Sequence, residues 1–352
     1  MTNLVISEPL QAPSQPVQIA QRPFLPGAQH STMPATLTQP ATETFPLVLQ
    51  PRSAAAGSRL ALESWAEDVR FWMETALPDN GAILVRGLPL STADELARLI
   101  NRLGYPTMDY KGGTGVRNEV AADVMTASND PSDFSIEPHS EMAFARVYPS
   151  KLLLFCETPP VHGGETPIVD VRYFTQQIDP SVREAVQRTG VQYIRYLPHR
   201  QSASYTSWQD AFLTDDPRQV EQFLRTHCYD YDWDADGSLH YRYVLPAMVT
   251  HPQTGEALWF NQVQSHHASY FKSHPSFVDA AHDDDHYPFH CRDGEGTAFS
   301  DDLVAHVRQV TWRCAVPVTW QQGDLLILDN LLAQHGRMSF VGARRILVTL
   351  FK

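Results

Sequence analysis

The sequence predicts a β-rich α/β domain on a barrel or jelly-roll core, and three features of its patterning lead there. A helix–strand–helix order opens the ordered part of the chain. Short apolar strands dominate after residue 136, with helical and irregular segments between them. Three further strands close the chain over residues 315–351. Periodicity alone does not choose between a barrel and a jelly roll. A chain of 352 residues with 43% hydrophobic and 10% aromatic content is within reach of one large domain.

Residues 1–43 are rich in Pro, Gln, Thr, Ser and Ala and lack periodicity, so they read as a disordered or loosely draped tail, with order beginning at Thr44. Leu62, Trp65, Val69, Trp72 and Met73 recur at helical spacing and predict a helix over residues 60–77, ended by Pro78-Asp79-Asn80-Gly81. Residues 82–87 read as a buried strand. Ser91 is the expected N-cap of a second helix. Strands follow at 151–156 and 166–170, separated by the turn signal Pro159-Pro160-Val161-His162-Gly163-Gly164. Helices are expected at 180–188, 217–226, 275–281 and 299–313. Strands are expected at 191–197, 241–249, 257–262, 315–320, 324–328 and 344–351. The two units are therefore the tail, 1–43, and one domain, 44–352.

A formal charge of −13 argues against a non-specific binder of nucleic acid or anionic membranes. No apolar stretch reaches the roughly 20 residues that span a bilayer. The four cysteines, Cys156, Cys228, Cys291 and Cys314, have no CxxC spacing and fit reduced thiols in a cytoplasmic protein.

The chemistry concentrates at His139-Ser140-Glu141, answered by His335 after the apolar run at residues 324–329. On a strand, residues i and i+2 share a face, so an imidazole and a carboxylate would converge. With His335 they make the two-histidine, one-carboxylate set of non-haem Fe(II) oxygenases, which leaves metal positions open. A lone HxE is common by chance, and most of the fifteen histidines are core or surface residues. The adjacent His266 and His267 would face opposite ways on a strand, and His282 and His286 flank an acidic loop.

The flanking motifs make the pattern specific. His139-Ser140-Glu141-Met142-Ala143, Tyr148-Pro149, Phe155-Cys156, Gly163-Gly164-Glu165-Thr166-Pro167 and Asp170 occur in order. They are followed by Asp329-Asn330, His335-Gly336-Arg337 and residues 342–348. From about residue 47 to the end, this resembles the taurine dioxygenase/clavaminate synthase superfamily. The resemblance implies a double-stranded β-helix, or jelly roll, with flanking helices and a helical or irregular insertion between the metal motifs. It implies Fe(II), with 2-oxoglutarate and O2 as cosubstrates. His139, Glu141 and His335 match the metal ligands. Thr166 matches the hydroxyl on the distal carboxylate of 2-oxoglutarate. Arg345 matches the arginine that forks onto that carboxylate, with Arg344 as its neighbouring competitor. The retained carboxylate argues against a halogenase. Thr349 stands four residues after Arg345, where taurine dioxygenase has a sulfonate-binding arginine, so taurine loses its anchor.

The expected activity is oxidation, foremost hydroxylation, of an unactivated C–H bond, with release of succinate and CO2. Glu141 in place of the commoner Asp points to a free amino acid or a carrier-tethered aminoacyl group in secondary-metabolite or siderophore biosynthesis. Desaturation or cyclisation starts from the same chemistry. Asn261 and Arg117 are candidate substrate contacts, each set against a purely structural role. Gly112-Gly113-Thr114-Gly115 lacks a P-loop ending and reads as a loop over the site. The rival readings are a jelly-roll binding protein without turnover and a zinc hydrolase. No ligand is missing, as the first would favour, and the second leaves Thr166 and Arg345 without a role.

Overall fold

In a computed structural model, which describes residues 2–19, 22–53, 62–113 and 117–352, two sheets face one another. The larger has eight strands. In spatial order these are Leu4–Ile6, Leu47–Pro51, Ala82–Val85, Leu325–Asp329, Lys151–Thr158, Arg345–Phe351, Val124–Thr126 and Glu119–Ala121. The smaller runs Ala315–Val318, Thr166–Asp170, Ala333–Arg337 and Ile136–His139. Except for the parallel pair Leu47–Pro51 and Ala82–Val85, the pairings in both sheets are antiparallel. This is the jelly roll.

The central strands of the large sheet are buried on both faces, which is why they read as continuous apolar runs rather than alternating ones. One face of the pleat carries Leu152, Leu154, Leu326, Leu328, Ile346, Val348 and Leu350 toward Ile168, Val316 and Val318 of the small sheet. The other carries Leu153, Phe155, Ile327, Leu347 and Phe351 toward the helices Leu62–Thr75 and Ala93–Leu103. Trp65, Val69 and Met73 are the buried stripe of the first helix, as their spacing predicts. The second helix is capped by Thr92, one residue later than expected. Thr92 Oγ1 accepts from the Glu95 amide, while the Glu95 carboxylate accepts from the Ser91 and Thr92 amides. The expected beginning of the first helix at residues 60–61 lies outside the described residues, as do Thr114 and Gly115 of the glycine-rich loop.

Between Thr166–Asp170 and Ala315–Val318 the chain inserts a third layer. Its core is a four-stranded sheet ordered Asp230–Trp233, Leu239–Leu245, Val191–Leu197 and Phe289–Asp293. The helix expected at 275–281 is a run of turns. The helical turns lie earlier, at Val263–His266 and Ala268–Phe271.

The N-terminal segment is draped over the domain, but it is built into the core. Leu4–Ile6 adds a strand to the large sheet. Leu10 packs with the inter-sheet core, and Val17, Ile19, Leu25 and Leu37 pack with the insertion core. Single apolar residues separated by Pro and polar residues fill separate pockets, so no periodicity announces them. Ile19→Ala should therefore cost about 2–5 kcal/mol, whereas the exposed Gln11→Ala should stay within about 0.5 kcal/mol. Urea unfolding midpoints check both. No helix among the described residues is long and apolar enough to cross a membrane, and all four cysteines are free thiols.

Candidate metal centre and active-site cavity

His139, Glu141 and His335 each offer a ligand atom, and these atoms lie within 4.8 Å of one another. Among the described residues this is the one such group of three or more. Strand pairing places the histidines: His335 stands opposite His139 in register across the small sheet. Gly336 permits that approach, since a Cβ there would lie 2.5 Å from the Ile136 carbonyl oxygen. Glu141 arrives differently from the expectation. The strand Ile136–His139 ends at the first ligand, and Glu141 sits in the following turn, before Met142 in the left-handed region (φ 54°). The two side chains converge through a turn, not through the pleat of one strand.

Residues distant in sequence hold that turn. The Glu141 amide donates to Asn330 Oδ1 at 2.7 Å, and Asn330 Nδ2 donates to the Glu141 and Pro149 carbonyls, each at 2.8 Å. Gln262 Nε2 donates to the Ser140 carbonyl, and Gln264 Nε2 to that of Pro138 at 3.1 Å. His139 Nδ1 donates to the Glu137 carbonyl at 2.8 Å, which leaves Nε2 with its lone pair for a ligand. Sequence reasoning assigned no role to Gln262, Gln264 or Asn330. Asn330 carried a signal, through Asp329-Asn330 in the motif set. Asn330→Ala leaves three buried backbone groups without partners. It should lower the melting temperature and weaken metal binding by about 10–100-fold, measured by metal titration beside thermal melting.

The electrostatics suit a cation. Burial pushes the Glu141 carboxyl up, but Arg117, His335 and His139 together outweigh it and hold the group below its ordinary value. Burial and the neighbouring His139 push His335 down to about 3, so its imidazole is neutral. Two imidazoles and one carboxylate suit iron. Arg117 Nη2 donates to both Glu141 oxygens at 2.9 Å, while its buried Nη1 meets no partner.

A cavity of about 250 Å³ opens over this group. Its jelly-roll wall includes Thr166, Arg344, Ile346 and Val348, and its insertion wall includes Tyr205, Gln262, His266 and Phe289. Here the arginine expectation is reversed. Arg344 lies at the cavity, donating to the Gly164 carbonyl at 3.1 Å and toward Thr166 Oγ1 at 3.5 Å. Arg345 points away, is 48% exposed and pairs with Glu157. The reason is parity: Arg344 continues the face of Ile346 and Val348, which looks between the sheets. The position four residues after the cavity arginine is then Val348, not Thr349. Thr349 faces away and donates to the Asp123 carbonyl at 2.8 Å. Val348 is apolar, so a sulfonate still finds no arginine there. Among the described residues Arg344 has no ion-pair partner, and burial, with Arg337 nearby, pushes it down to about 9. Thr166 Oγ1 accepts from Trp320 Nε1 at 3.0 Å and keeps its own proton to donate. A guanidinium without a counter-ion beside a free hydroxyl fits one carboxylate of a dicarboxylic acid.

Arg117 lies at the cavity, as one of its two readings required. Asn261 does not line it. Its Nδ2 donates to the Ala247 carbonyl at 2.9 Å and its Oδ1 accepts from the Val263 amide at 3.1 Å, so both ends of the amide are spent on backbone. The neighbouring Gln262 lines the cavity instead.

This jelly roll belongs to the Fe(II)- and 2-oxoglutarate-dependent dioxygenases, an oxidoreductase class that takes O2 as cosubstrate. Residues 46–350 match the family described as "Taurine catabolism dioxygenase TauD, TfdA family", and the chain belongs to that family. It is 31% identical over 281 residues to the dapdiamide synthesis protein DdaC of Enterobacter agglomerans, covering 79% of this chain and 84% of that protein. It is 30% identical over 322 residues to a clavaminate synthase-like protein of Arabidopsis thaliana, covering 88% and 94%. Among solved structures, the PvcB protein of Pseudomonas aeruginosa superposes with a TM-score of 0.49 at 16% identity, covering 92% of each chain.

Proposed function

We propose that the protein hydroxylates an unactivated C–H bond of an amino acid, free or carried as an aminoacyl group on a carrier protein, in natural-product biosynthesis. His139, Glu141 and His335 hold Fe(II), and Thr166 and Arg344 hold the distal carboxylate of 2-oxoglutarate. The observation that carries the substrate class is Arg117. Its buried Nη1 is an unused donor at the cavity, beside a metal-ligand carboxylate. A guanidinium so placed suits a carboxylate or thioester carbonyl of the substrate. Similarity to a dapdiamide synthesis protein supports the biosynthetic setting.

When bound, iron with 2-oxoglutarate and O2 supplies the oxidising power, with succinate and CO2 as products. The protein's own residues position and exclude. Glu137 fixes the tautomer of His139, and Asn330 and Gln262 fix the ligand turn. Thr166 and Arg344 set the cosubstrate's direction, and the aromatic wall at Phe144, Phe271 and Phe289 keeps water from the target carbon. The test is succinate formation with Fe(II), 2-oxoglutarate and a panel of amino acids and aminoacyl carriers. A product heavier by one oxygen with at least one of them is expected. No stimulation of succinate release by any of them would overturn the proposal.

A further inference from the structure

The cavity lining is of two kinds. One is charged, with Glu141, Arg117, Arg337 and Arg344. The other is aromatic, with Phe144, Phe271 and Phe289, and His266 packs among them. The His266 ring stacks on Phe144 (centroids 4.6 Å apart, 27° between planes) and meets Phe289 edge-on at 4.1 Å. It is 3% exposed, its Nε2 has no hydrogen-bond partner, and its Nδ1 has only Ser265 Oγ at 3.5 Å. Burial, with Arg195 and His139 adding to it, holds the imidazole far below its ordinary value, so it is neutral. A buried polar nitrogen left unpaired costs about 1–3 kcal/mol, and native structures keep few such groups without a use for them. The metal ligands and the 2-oxoglutarate residues do not engage it.

Resting on the amino-acid reading above, we infer that His266 is a specificity-determining residue whose Nε2 hydrogen-bonds an uncharged polar group, a carboxamide or hydroxyl, on the substrate's side chain. A cationic side chain is opposed by Arg195. That residue is fully buried behind the aromatic wall, its guanidinium carbon 3.6 Å from the Phe289 ring centroid. Nor does a free carboxylate stand ready for a cation. Besides Glu141 the lining carries Asp130, whose oxygens already accept from Tyr205 Oη and Ser128 Oγ, each at 2.9 Å. An anionic side chain would be desolvated among phenylalanines. Arg195 offsets only part of that cost, because the Phe289 ring lies between and the guanidinium donates to the Gly112 and Gly113 carbonyls rather than to the substrate. A neutral side chain with one hydrogen-bonding group matches both the aromatic walls and the unused His266 Nε2 set among them.

The experiment uses the full chain loaded anaerobically with Fe(II) and 2-oxoglutarate. It is titrated with L-glutamine, L-homoserine, L-norvaline, L-lysine and L-glutamate, each free and as the N-acetylcysteamine thioester. Binding is read as perturbation of the metal-to-ligand charge-transfer band. Glutamine or homoserine should bind about tenfold or more tightly than norvaline, lysine and glutamate, the yield of one added hydrogen bond. His266→Phe should erase that preference while leaving the band formed before any amino acid is added. His266→Gln, which keeps a hydrogen-bonding amide, should restore part of it. Retention of the preference in His266→Phe, or binding of lysine, glutamate or norvaline as tight as the best neutral polar probe, overturns the inference alone. Absence of binding by every probe overturns it together with the amino-acid reading.

Discussion

Glu141→Ala abolishes substrate-coupled succinate formation, with a loss exceeding about 100-fold, since removing a direct ligand costs more than the 10–100-fold typical of residues behind the ligands. The variant also strips Arg117 of its counter-ion. Both side chains are nearly inaccessible, at 8% and 2% exposure, and breaking such a pair from one side costs about 3–5 kcal/mol. Loss of activity in the single variant could then reflect either the metal or the fold. The double variant Glu141→Ala/Arg117→Ala separates them. It removes the orphaned charge and should recover much of the melting temperature, but none of the turnover or metal content. Full turnover in Glu141→Ala would remove it from the ligand set. Recovery of turnover in the double variant would make Glu141 merely the partner of Arg117.

What the sequence made legible follows from which forces act locally. Val191–Leu197 and Pro217–Thr226 fall where their patterns place them, because strand and helix periodicities are short-range. His139, Glu141 and His335 are brought together as their motif anticipated, yet the route differs. Whether Glu141 lies on the strand or beyond its end depends on Asn330 and Gln262, more than a hundred residues away. Isolated burial is equally silent. Val17, Ile19 and Leu25 look like residues of a tail until the surface that receives them is known. Which of Arg344 and Arg345 faces the cavity was hidden for a related reason. A strand buried on both faces offers no alternation to read, so parity could be assigned only once the inter-sheet face was identified.

That parity makes the sharpest separate prediction. Arg344→Ala raises the 2-oxoglutarate requirement by about 30-fold or more, because losing one partner of a desolvated charge pair costs about 2–5 kcal/mol. Arg345→Ala changes it by less than about twofold, because an exposed ion pair such as Arg345–Glu157 is worth little. Arg344→Lys should recover only part of the loss, since an ammonium cannot fork onto both carboxylate oxygens. The metal affinity of Arg344→Ala should be unchanged when measured without 2-oxoglutarate, which sets it apart from Glu141→Ala. The charge-transfer band titrated with 2-oxoglutarate reads each constant directly. The reverse order, Arg345→Ala weakening binding and Arg344→Ala leaving it intact, would mean that the cosubstrate lies across the opposite face of the strand. Thr166 would then lose its place beside it, because Thr166 Oγ1 is reached by Arg344 and Trp320 between the sheets.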